Sequence, residues 1–175
     1  QKDKKELVNT LKTLKSFKRS DLTDEQKDTY DIFSFEYKIY NQLNDERFDD
    51  YQQLFESMTG IHYQLPTMLA DWQLRNEQDV KDLIILVNDV KPYMDAALEY
   101  TKKQEEKGLL MVDIDSIIDY CQQIIKSGKR SAVLQSMNTS IDELNLEESQ
   151  SIDYKKQLDE AFVQSFIPAY QDIIN

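Results

Sequence analysis

Glycine and proline each occur only three times in 175 residues, and this scarcity limits the chain to a few long elements. Sheets and barrels need turn residues every eight to twelve positions, so the composition favours helices. The apolar fraction of 40% is enough for a packed core, and the length suits one core that buries roughly two-thirds of the surface of the unfolded chain. The expectation is an all-α fold of about seven helices in an irregular bundle with no significant sheet, as a single domain over 1–175.

The apolar spacing locates the helices. Leu7, Leu11, Leu14 and Phe17 form one stripe over residues 4–17. Thr23 and Gln26 have the form of a capping box for a helix reaching Leu43, with Tyr30, Phe33, Tyr37 and Tyr40 along one side and Ile32, Phe35 and Ile39 widening the apolar arc. Residues 45–66 are the least regular stretch, after which Pro66 is expected to open a short helix through Trp72. Asn76 is an N-cap candidate for a helix with Val80, Leu83, Ile84, Val87 and Val90 inside. Pro92 should end or kink that helix, and a second segment should close at Gly108. Asp113 or Asp115 caps the next helix, which runs to Gly128. Two further helices follow, the last interrupted at Pro168.

A formal charge of −12 opposes binding to nucleic acid over most of the surface, and serves solubility or a cationic partner. The basic clusters Lys2–Lys5 and Lys12–Arg19 have the spacing of a solvated helix face. No apolar run approaches a membrane span, and a first residue of Gln suggests processing or a boundary inside a longer protein.

The chemistry-bearing residues are few. Cys121, the single cysteine, excludes an internal disulfide and any site of several thiolates; within Ile117–Cys121 it reads as a buried thiol rather than a nucleophile. The single histidine, His62, cannot supply a two-histidine zinc motif, and a serine, cysteine or threonine nucleophile would need that same histidine as its base, with no flanking motif such as G-x-S-x-G. It reads as a hydrogen-bonded structural residue, with a ligand-site role as the alternative. Three scattered glycines make no phosphate cradle, and the acidic pairs lack the pattern of a calcium loop. Asn138-Thr139-Ser140 matches a glycosylation sequon inside an expected helix. Core packing is the first explanation for the eighteen aromatic residues. A groove near Trp72 is the other, which makes Tyr51, His62, Tyr63 and Trp72 candidate cleft-lining residues. No catalytic, cofactor-binding or metal-ligating residue is assigned.

Several landmarks from Phe17 to Asn175 resemble the middle region of the bacterial DUF885 family. They are Leu22–Glu25 with Thr29–Ile32, Gly60-Ile61, Leu65-Pro66 and Leu69, Asp79 and Tyr93, Lys107-Gly108-Leu109 with Met111, Ile118 with Cys121-Gln122, and Phe166–Tyr170. Trp72-Gln73-Leu74 departs from the aromatic that relatives carry after the Leu69 region. The resemblance implies a larger exported or lipoprotein-anchored protein related to gluzincin-type zinc metallopeptidases, with its H-E-x-x-x-G-H-like motif downstream. Nothing of that motif occurs here, so zinc would belong to the parent and not to this chain. The partners implied are the rest of the polypeptide and a peptide substrate. The expected role is a non-catalytic scaffold or one wall of a substrate cleft in the Tyr51–Trp72 region. The alternatives are a free-standing acidic adaptor domain and an independent enzyme using His62.

Overall fold

A computed structural model of the chain describes residues 2–43 and 45–175, apart from the side chains of residues 2–5, so the reading of Lys2–Lys5 as a solvated face lies outside the described residues. The chain divides into two compact units, residues 1–51 and 52–175. All-α architecture holds, with no strand among the described residues.

The first unit pairs α1 (Lys2–Ser16) with α2 (Asp24–Leu43) through a short 3₁₀ turn, Arg19–Asp21. The capping box forms: Gln26 N donates to Thr23 Oγ1 at 3.3 Å and Thr23 N to Gln26 Oε1 at 3.0 Å, satisfying two backbone donors that the helix start would orphan. Arg19 grips Asp31 with both prongs of its guanidinium, at 2.8 and 2.7 Å. Leu7, Leu11 and Leu14 are half-buried, as are Tyr30 and Tyr37 of α2. None of the described side chains of this unit is fully buried.

The second unit is built around α4 (Glu77–Glu106), a 30-residue helix about 45 Å long. Asn76 caps it by accepting from Gln78 N and Asp79 N. Its C-terminus closes at Gly108, whose φ of +66° suits the left-handed position, with Leu109 N donating to Gln104 O at 2.8 Å and Gly108 N to Glu105 O at 2.9 Å. Val80, Leu83, Val87, Val90, Met94 and Ala97 form a continuous buried stripe at alternating steps of three and four. At about 2 kcal/mol for each large apolar side chain, this stripe is a main source of cohesion. Around it lie α3 (Ile61–Ala70), α5 (Ile114–Ser127, capped by Asp113), α6 (Ala132–Glu143, capped by Ser131), α7 (Glu148–Ala161) and α8 (Ile167–Ile174). The segment Phe162–Phe166 joins α7 to α8 as a π turn, with Ile167 N bonded to Phe162 O. Counting α7 through α8 as one, the described residues form seven helices, as expected.

Pro66 departs from expectation, and of the two outcomes expected at Pro92 the helix end does not occur. Pro92 neither ends nor breaks α4, and Pro66 lies five residues inside α3 instead of opening it. A proline in a helix strips the carbonyl four residues earlier of its donor. For Pro92 that carbonyl is Asn88 O, and Ser165 Oγ donates to it at 2.7 Å while accepting from Lys91 N at 3.0 Å. For Pro66 it is His62 O, and Tyr170 Oη donates to it at 2.6 Å. The two hydroxyls come from the π turn and from α8, so the C-terminal helical segment repairs both gaps. Lys91 adds ion pairs to Asp95 at 2.7 Å and to Asp172 of α8. Before Pro168 the expected interruption takes the form of the π turn, and the helix continues beyond it.

Replacing Ser165 with alanine removes the donor on Asn88 O and a partner of Lys91 N, and should cost about 2 kcal/mol in urea denaturation. Pro92→Ala returns an N–H to Asn88 O. The double variant should therefore recover part of the loss, whereas strict additivity would show that Ser165 does not act through the proline gap.

Candidate functional site

His62 occupies the first turn of α3, fully buried. The ring of Phe55 lies 5.8 Å away, and that of Tyr120 meets it edge-on at 5.6 Å. Gly60, the N-cap of α3, fits against it only because it lacks a side chain. A Cβ there would stand 2.5 Å from the backbone N and O of Glu56 and 2.8 Å from His62 Nδ1. Neither ring nitrogen has a hydrogen-bond partner among the described residues, so burial pushes the imidazole down to about 4 and keeps it neutral. The sequence reading expected a hydrogen-bonded structural histidine. The ring does not meet that expectation: the bonded group is the backbone carbonyl, accepting from Tyr170. Next to Tyr120, Cys121 is fully buried and its thiol is pushed up to about 12, which suits packing and not attack.

Tyr63 turns outward from the same helix. Its ring lies 5.1 Å from that of Tyr120, and both line a cleft of about 500 Å³ between α3 and the start of α5. Asp113, Asp115 and Asp119 line its α5 side, and Ser57, Ser116 and Gln123 complete the rim. Asp113 spends one oxygen on Ser116 N as the cap of α5. Burial first, and then Tyr63, raise the Tyr120 hydroxyl above the usual phenol range. The cleft combines carboxylates with tyrosine faces, a chemistry suited to cationic or amide groups.

Of the four cleft-lining candidates, the fold brings together only His62, behind the wall, and Tyr63, on it. Trp72 lines a separate hollow of about 240 Å³ beyond the end of α3, with Ser140 and Glu143 of α6. Tyr51 belongs to the first unit, where its ring meets Phe48 edge-on at 6.1 Å. Tyr120 and the α5 aspartates were not singled out for the cleft from sequence. Their signal was the i, i+4 pairing of Asp115 with Asp119 and of Ser116 with Tyr120 on one helix. Core packing explains part of the aromatic set: among the described residues Phe55, Phe162, Phe166 and Tyr170 are buried, and Tyr120 and Tyr154 pack against the core.

The residues present do not fit a zinc site. No group of three or more His, Cys, Asp or Glu side chains among the described residues is placed to hold a metal ion, and the one imidazole is enclosed by aromatic rings. No helix is long and apolar enough to cross a membrane among the described residues.

A family model described as a bacterial protein of unknown function (DUF885) matches residues 1–175, a longer span than the landmarks that begin at Phe17. No curated protein and no solved structure matches the chain.

The enclosed imidazole sets a pH dependence with a definite sign. Above the ordinary histidine value of 6.5 both folded and unfolded chains hold it neutral. Below it the unfolded chain takes up a proton that the folded one refuses until about 4. Between these values stability should fall with acid, by up to about 1.4 kcal/mol per pH unit from this group. His62→Leu should flatten that part of the profile in denaturation series at stepped pH. Gly60→Ala should lower stability by about 2 kcal/mol or more through overpacking against the Glu56 backbone, measured as a shifted urea midpoint without a change in slope.

Proposed function

This chain belongs to the DUF885 family, and on that premise we propose that it is a helical scaffold and substrate-cleft wall of a larger zinc-dependent peptidase-like protein. The observation that carries the reading is the contrast between the core and the cleft beside it. His62 and Cys121, the chain's one imidazole and one thiol, are sealed in the core in their uncharged forms, where neither serves as a base or nucleophile. The neighbouring cleft, in contrast, presents two tyrosines and three carboxylates to solvent, side chains that bind and orient better than they cleave.

Division of labour follows from that contrast. The wall supplies hydrogen bonds and electrostatic attraction to amide groups or to the cationic side chains of a peptide, and the reacting metal belongs to sequence outside these residues. The α4 spine and its C-terminal braces keep Tyr63 and Asp119 at fixed separation, because both project from helices packed on the same core.

Calorimetric titration of the purified chain with zinc should give no tight stoichiometric binding, and peptide hydrolysis should stay at background. Tight one-to-one zinc would overturn the reading. In the longer gene product, Tyr63→Ala and Asp119→Asn should raise KM for peptides about tenfold with little change in kcat, the pattern of lost binding and not lost chemistry. An unchanged KM for both variants would remove the cleft from the substrate's path.

A further inference from the structure

A second concavity lies away from the acidic cleft, between α3 and α4. From α3 it is lined by Ile61, Gln64, Leu65 and Met68, the i, i+3, i+4 and i+7 positions of one face. From α4 it is lined by Leu86, Asp89, Val90 and Tyr93, the same four positions of a second helix. On both helices the polar residue stands at i+3. The groove holds about 310 Å³ and runs along roughly 10 Å of each helix, two turns. Val90 forms its buried floor, while Met68, Leu86 and Tyr93 are exposed at its rims.

Apolar rims from two helices over a buried floor are a shape in which a third helix can pack ridge into groove. One feature of the lining specifies charge. Asp89 is its single ionisable side chain apart from the Tyr93 phenol, and it makes no hydrogen bond or ion pair among the described residues, whereas nearby Asp82 and Asp95 are engaged by Gln78 and Lys91. The unit as a whole reinforces it: residues 52–175 carry 21 Asp and Glu against 11 Lys and Arg. A carboxylate within an apolar strip, on an acidic body, is complementary to a cation carried among apolar side chains.

We propose that this groove is a docking site for an amphipathic helix of a partner protein, about three turns long, with apolar side chains at i and i+4 spacing and one Lys or Arg in the same stripe to meet Asp89. Gln64, across the groove, offers a hydrogen bond to the polar shoulder of that helix. The inference goes beyond the scaffold role and does not rest on it, since it concerns a different face of α3.

The test uses a labelled helical peptide of about fourteen residues with a leucine stripe interrupted by one lysine and glutamine elsewhere, and a twin with glutamate in place of that lysine. Fluorescence anisotropy with the intact chain should show the lysine peptide binding at least tenfold tighter than its twin. Asp89→Lys should reverse the order, and Leu86→Asp should abolish binding of both while circular dichroism and the urea midpoint stay those of the parent chain. Absence of binding, equal affinity for the two peptides, or an order that Asp89→Lys leaves unchanged would each refute the proposal. If sedimentation shows a dimer that Leu86→Asp dissolves, the groove is a self-association surface and the proposal fails.

Discussion

Two hydroxyl groups hold this architecture together, Ser165 Oγ on Asn88 O and Tyr170 Oη on His62 O. Each sits on the carbonyl that an interior proline leaves without a donor, so each turns a helix-breaking residue into a tertiary contact. Without the first, Asn88 O beneath the six-residue stripe of α4 would lack a protein donor. Without the second, the first turn of α3, which positions both His62 and Tyr63, would carry a buried unsatisfied acceptor. The aromatic column Phe162–Phe166–Tyr170, with centroid separations of 4.4 and 4.8 Å, aims the segment that delivers both groups. The π turn at its start gives that segment the register in which Ser165 faces α4.

What was legible in the sequence was local. The Thr23–Gln26 box, the Asn76 and Asp113 caps and the Gly108 and Gly128 stops depend on residues within a turn of one another, and all took the expected form. Pro66 fell outside its expected position, and Pro92 did not end its helix, for the converse reason. Their local signal says break, and the hydroxyls that answer them are separated from the carbonyls they serve by 108 and 77 residues. Nothing in the neighbourhood of a proline announces such a partner.

The candidate site was legible in a similar proportion. His62 and Tyr63 were found because histidine is unique and because they follow Gly60, but adjacent positions on a helix point in different directions, one into the core and one into the cleft. Trp72 was grouped with them by sequence proximity, and the end of α3 carries it to a different hollow. Tyr120 became part of the wall only through the packing of α5 against α3, a contact between segments more than fifty residues apart.

The hydroxyl braces also order events during synthesis. As α3 and α4 leave the ribosome, their prolines are already in place and the groups that complete them are not. Until the chain reaches Ser165 and Tyr170, Asn88 O in α4 and His62 O in α3 have only water as a donor. A long helix ordinarily grows from local contacts and is finished early. Here the π turn and α8, which pack against the stripe of α4, are the last to emerge, so this unit acquires its cooperativity late, and a nascent chain stalled before Ser165 leaves part of that apolar surface uncovered.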